Sequence, residues 1–235
     1  MVLGTPTTRN ENNRMSATQE PAAEGVLTRY RLTMEGTRPL LMHAPTSVNP
    51  LHPLTRELKA LTGRKPKTEE LIAEISRAEW ICGFYTKSVG PNRVPTIPEM
   101  SILRSWQDGG KNFKKGSTVE KALIVENVSL HFDPIHEKLC TGQNGWRDLF
   151  DVKDVDGLPL YVDFRSAGVS RSSVMRTRPI FNTWTAEVDF KLHESQIDPE
   201  QLLAAIRFAG EFSGIGDFRP HFGRYRLDGG LTVVN

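Results

Sequence analysis

The densest concentration of potential chemistry in the chain is the segment GEFSGIGDFRPHFGRYRL, residues 210–227. Gly210, Gly214, Gly216 and Gly223 permit positive φ and close backbone approach, and Arg219, Arg224 and Arg226 bring guanidinium groups alongside. Backbone amides together with arginines can cradle phosphate. Phe218, His221, Phe222 and Tyr225 are interleaved with these cations. Rings alternating with arginines hold a single strand of nucleic acid by its backbone and base faces, without reading its sequence. The competing reading is a glycine-rich turn whose arginines pair with local carboxylates such as Asp217.

A second concentration runs from Arg165 to Trp184, where Arg165, Arg171, Arg176 and Arg178 occur with no acidic residue before Glu187. Ser166, Ser170, Ser172, Ser173 and Thr177 add hydroxyl donors, and Phe181 and Trp184 add stacking faces, so the segment is suited to follow a phosphate backbone. A polar β-hairpin with Trp184 in the core is the alternative. Lys111, Lys114, Lys115 and Lys121 around Phe113 form a lesser basic cluster, explained equally well as a solvated lysine loop. These clusters matter because the chain as a whole is nearly neutral, with 30 Lys and Arg against 28 Asp and Glu. A net charge of +2 cannot hold polyphosphate, so any basic site must be local.

The six histidines (His43, His52, His131, His136, His193 and His221) are scattered, and none falls in a HExxH spacing. No GxSxG, phosphate-binding P-loop or strand-borne GxGxxG occurs. Cys82 and Cys140 lack CxxC spacing and read as reduced thiols. No metal or organic cofactor is expected and no catalytic residue is assigned. His221, beside Asp217 and Arg219, is the best catalytic candidate, but a lone loop histidine is more often a hydrogen-bonding residue. No stretch of 18 apolar residues and no signal-peptide pattern is present, which argues for the cytoplasm over secretion or a membrane.

The elements that must position these residues follow from periodicity. Residues 1–25 are rich in Thr, Asn, Glu, Pro, Ala and Ser and read as a disordered tail; one domain is expected over 26–235. Residues 26–35 alternate at strand period with Tyr30 and Leu32 inward. A proline-punctuated loop follows, then helices over 54–61 and 68–82 and a third starting at Pro98 and broken at Gly109-Gly110. Strands are expected over 123–132, 161–164 and 184–192, and Asp198-Pro199-Glu200 opens the most clearly marked helix. Residues 224–234, interrupted by Asp228-Gly229-Gly230, read as a hairpin or kinked edge strand. The order is βαββαβ. It predicts an α+β, ferredoxin-like antiparallel sheet with a helical insertion after the first strand, at about residues 37–122.

The segment GIGDFRPHFGRY, placed after the second helix of such a plan, resembles the glycine-rich loop of the repeat-associated mysterious protein (RAMP) superfamily, the RNA-binding subunits and nucleases of CRISPR effectors. PLLMHAP at 39–45, RTRPIFNTW at 176–184 and GIGDFRPHFGRY at 214–225 together look like a group of phage and prophage proteins, a likeness that implies no activity. The superfamily resemblance implies RNA binding at the loop and, in some members, cleavage by a histidine near the first strand, where His43 is the loose match.

The residues thus predict a sequence-nonspecific binder of single-stranded DNA or RNA. Its expected site comprises Arg171, Arg176, Arg178, Phe181, Gly214, Gly216, Phe218, Arg219, Gly223, Arg224, Tyr225 and Arg226. Phosphates would meet the arginines, and bases would meet Phe181, Phe218 and Tyr225. The alternatives are a phage structural or interaction protein that binds another protein, or a RAMP-like ribonuclease. The tail and the proline loop lend themselves to contacts in a homo-oligomer or filament.

Overall fold

The computed structural model describes Met1 and residues 27–169 and 172–234. The tail expected over 1–25 and Arg171 therefore lie outside the described residues, Met1 excepted. The chain is α+β. Its elements, in order, are β1 (Leu27–Gly36), β2 (Leu40–Leu41), α1 (Pro53–Gly63), α2 (Glu69–Gly83), β3 (Thr86–Val89), β4 (Asn92–Pro95), α3 (Glu99–Asn112), α4 (Gly116–Ala122) and β5 (Leu123–His131). They continue with α5 (Pro134–Glu137), β6 (Val162–Val169), β7 (Ser172–Phe181), β8 (Thr185–His193), α6 (Pro199–Phe208) and β9 (Tyr225–Val233).

The main sheet is antiparallel, in the order β5-β8-β1-β9. Strand alternation sends Tyr30, Leu32 and Met34 of β1 and Ala186, Val188, Phe190 and Leu192 of β8 to one face, where all are buried. Helices α3 and α6 cover that face; Trp106 of α3 meets the Phe190 ring edge-on at 5.1 Å. The helices approach closely because Gly109 of α3 lies against the backbone of Ala205 in α6, with no room for a Cβ. Gly109-Gly110 was expected to end the helix, but α3 runs through it. Close packing against α6 outweighs the intrinsic helix cost of glycine, about 1 kcal/mol per residue.

A second, three-stranded sheet has the order β2-β7-β6. The proline stretch, expected to be a loop that cannot pair centrally in a sheet, contributes a two-residue edge strand: Leu40 pairs with Phe181 and Leu41 with Ile180. Helix α2 packs on this sheet, and its Trp80 Nε1 donates to the Tyr161 carbonyl at 2.8 Å. The insertion holds a hairpin as well as helices: β3 and β4 turn on Gly90-Pro91, with Gly90 at φ 55. One hydrophobic cluster spans both sheets, so the two share a core.

The opposite face of the main sheet carries side chains paired with one another. Arg31 forks onto Asp189 at 2.7 and 3.0 Å, and Arg29 and Lys191 converge on Glu126. Among the described residues, no helix is long and apolar enough to cross a membrane.

Candidate nucleic-acid interface

The glycine-rich segment begins where α6 widens into a single π turn at Ala209–Ser213. Gly214, Gly216 and Gly223 adopt φ of 65°, 81° and 66°, as their residue type predicts. Their purpose differs from an open cradle. The Asp217 amide donates to the Leu41 carbonyl and the Gly223 amide to the Pro39 carbonyl, both at 2.8 Å, while the Gly214 and Ile215 amides bond within the loop's own neighbourhood. A Cβ on Gly216 would lie 2.5 Å from the Leu41 oxygen. The glycines thus let the loop lie flat on the 39–42 strap, and these four amides are not available to a phosphate. This corrects the expected cradle.

The arginines of the expected site fall into two groups. In the first, Arg176 bonds Glu79 at 2.6 Å, and the same carboxylate accepts the Thr177 amide. Arg178 is buried, its side chain 7% exposed, with Nε 3.1 Å from an Asp217 oxygen. The angle there is poor, so Arg178 Nε and Nη1 and that Asp217 oxygen lack a good hydrogen-bond partner among the described residues. The Arg178 guanidinium lies over the Phe218 ring at 4.9 Å, and Arg165 lies over Phe222 at 4.4 Å. Phe218, a non-glycine residue at φ 54, is fixed beneath these cations. Arg176 and Arg178 therefore clamp α2 and the loop onto β7, as internal partners of carboxylates and rings.

Phe181 and Tyr225 were expected to stack on bases. Both are buried: Phe181 packs among Phe84, Phe132 and Tyr161, and the Tyr225 hydroxyl lies 3.3 Å from Ser105 Oγ. Their place in the middle of the shared core corrects that expectation. Trp184 is also buried, its Nε1 donating to the Arg38 carbonyl.

The second group converges. At the edge strand β9, beside the C-terminal turn of α6, an open groove of about 610 Å³ is lined by Arg38, Arg207, Arg224 and Arg226, with Thr37, Glu211 and Gly229. Register explains the meeting, since Gly36 pairs with Tyr225 and the amides of Thr37 and Arg38 both donate to the Arg224 carbonyl. Arg226 forks onto Glu35 at 2.8 and 2.9 Å, and Arg224 Nε donates to the Pro220 carbonyl. Among the described residues, no carboxylate lies within ion-pair distance of Arg38, Arg207 or Arg224. Arg38 and Arg207 were missed from sequence, because each is isolated in its own segment and only the fold brings it to the groove. Arg219 points elsewhere, pairing with Asp108 of α3 at 3.3 Å.

The catalytic candidates do not assemble. His221 is exposed, and Asp217, expected beside it, faces Arg178 instead. His43 borders a cavity of about 30 Å³ with Glu79, Cys82 and Arg176, room for about one water molecule. Desolvation there, reinforced by Arg178, lowers its pKa although Asp217 opposes the shift. Burial pushes the thiols of Cys82 and Cys140 up to about 11 and about 12, unfavourable for nucleophiles. Among the described residues, no group of three His, Cys, Asp or Glu side chains is placed to hold a metal ion. No protein-family model matches this chain, and no curated protein matches its sequence.

Proposed function

We propose that the chain binds single-stranded nucleic acid by its phosphates, through the groove of Arg38, Arg207, Arg224 and Arg226. The observation that carries this reading is four guanidinium groups around one open groove, three of them without a carboxylate partner among the described residues. Unpaired cations at one edge raise the local potential well above that of a nearly neutral surface, and a flexible polyanion is the ligand that meets several at once. The open sheet face is a poorer platform. Its cations are paired, and β1 and β8 present Arg29, Arg31, Thr33, Glu187, Asp189 and Lys191 there without an aromatic ring.

The scaffold belongs to the same proposal. Numbered by order among themselves, the four strands of the main sheet lie 2-3-1-4, with α3 before the second and α6 before the fourth. This order supports a ferredoxin-like unit, with the remaining elements as insertions. It also supports the likeness of the glycine-rich loop to that of RAMP proteins, since the loop follows the last helix. Binding should be indifferent to base sequence, because guanidinium groups facing phosphates do not touch base edges.

Fluorescence anisotropy with labelled oligothymidylate, its duplex and the corresponding RNA tests the reading over a range of salt. Tight binding to single strands that weakens steeply with salt is expected. Affinity independent of salt, or a preference for duplex, would count against it. Recovery of shortened RNA would instead favour the ribonuclease.

A further inference from the structure

Next to the groove, on the outer surface of the helical layer, three phenylalanines from two distant segments form one exposed cluster. Phe113 follows α3 and is 47% exposed; Phe212 lies in the π turn after α6 and is 53% exposed. Phe208, partly buried, joins them, its ring centroid 5.9 Å from Phe113 and 4.6 Å from Phe212. Phe113 is held outward by the tight turn after α3, where Lys114 adopts φ 58, and Phe212 by the widened π turn. Cations neighbour these rings in sequence: Lys111, Lys114 and Lys115 flank Phe113, and Arg207 precedes Phe208. All four are exposed, and among the described residues only Lys111 has a carboxylate partner, Asp108 at 2.7 Å. Glu211, which lines the groove, brings an opposing charge next to Phe212 in sequence.

We infer that this cluster is a stacking platform for bases of the strand whose phosphates occupy the arginine groove. The inference rests on the function proposed above and extends it. The two surfaces adjoin along α6, where Arg207 and Glu211 line the groove and Phe208 and Phe212 are their next neighbours in sequence. A strand leaving the groove across α6 meets rings with lysines beside them, the pairing of π-faces and cations that holds single-stranded nucleic acid without sequence preference. The charge around the rings selects the occupant. The core of a surface that binds another protein is depleted in lysine, whereas here three exposed lysines flank Phe113 in sequence.

The test compares wild type with Phe113→Ala/Phe212→Ala and Phe113→Leu/Phe212→Leu, leaving the more buried Phe208 in place. Each is titrated with oligothymidylate at several salt concentrations and with vesicles of phosphatidylserine. Stacking predicts that both double variants lose about tenfold or more in oligonucleotide affinity, the leucine variant included, since leucine keeps apolar bulk but has no π-face. The salt slope should stay at the wild-type value, because no phosphate contact is removed. Wild-type affinity in folded variants would overturn the platform while leaving the groove reading intact. A leucine variant that keeps full affinity while alanine loses it would overturn stacking, as would vesicle binding that depends on these rings when oligonucleotide binding does not. Wild-type protein that binds no single strand would refute both readings together.

Discussion

Replacing Arg38 and Arg224 together by alanine separates binding from folding, because the structure assigns these side chains little stabilising work. Among the described residues, neither has a carboxylate within ion-pair distance, and the one side-chain bond lost is Arg224 Nε to the Pro220 carbonyl at 2.7 Å. A net loss of about 1 kcal/mol is expected from that bond. In a chain of this size the corresponding fall in Tm is about 2–4 °C. Binding should change far more. Two charge-assisted contacts to phosphate at about 1.5 kcal/mol each sum to about 3 kcal/mol, a loss of about 100-fold in affinity. The logarithmic salt slope should flatten by about 1.4, from about 0.7 per phosphate on a single strand. The matched control is Arg178→Ala, which removes a side chain only 7% exposed from between Asp217 and the Phe218 ring. There the order inverts: about 2–3 kcal/mol of stability is lost while the salt slope is kept. Anisotropy titrations and thermal melts of the two proteins decide the matter. A well-folded Arg38→Ala/Arg224→Ala protein with unchanged affinity and slope would refute the assignment of the groove.

Three further outcomes test the scaffold. Gly216→Ala should melt early, losing about 2–4 kcal/mol, because alanine is strained at φ 81 and its Cβ would press on the Leu41 carbonyl; a Tm at or above wild type would show that the loop does not need its contact with the strap. Gly109→Ala should lower Tm despite alanine's better helix propensity, since the added carbon meets the Ala205 backbone; stabilisation would mean that α3 and α6 are looser than described. Asp189→Asn tests the sheet face: Arg31 lowers the Asp189 pKa, so the pair stabilises the fold fully above about pH 4 and loses its effect as pH falls through the lower folded value. Thermal melts against pH should therefore show a reduced neutral Tm and a shallower acid decline in the variant, and an acid limb parallel to wild type would contradict the pairing.

Much of the scaffold was legible because burial imposes periodicity. The inward set Ala186, Val188, Phe190 and Leu192 follows from alternation alone, and Asp198 caps α6 through the Glu200 and Gln201 amides as its sequence position implies. Short or hybrid elements were not legible. β3 and β4 have four residues each and few apolar positions, and β2 pairs only two residues within a proline-rich stretch whose local pattern says loop. The Gly109-Gly110 pair reads locally as a stop, and only the position of α6 shows why it lies inside a helix. At the candidate site, residue type identified cations and rings but could not distinguish those facing inward from those facing outward. Arg176 and Arg178 lie in a run without acids, yet their counter-charges come from Glu79 and Asp217, distant in sequence. Phe181 and Tyr225 have the composition of stacking residues and the burial of core residues. Arg38 and Arg207 drew no attention because a groove built from three segments has no linear signature.

The most direct test of the central claim is to crosslink a photoreactive single strand to the full-length protein and map the attached peptides by mass spectrometry. Attachment is expected on both sides of the groove, in peptides containing Arg38, Arg207 and Arg224–Arg226, reaching Phe212 and Phe113, and competed away by salt and by unlabelled single strand. Crosslinks confined to the open sheet face around Arg31 and Lys191, or none that single strand competes for, would contradict it.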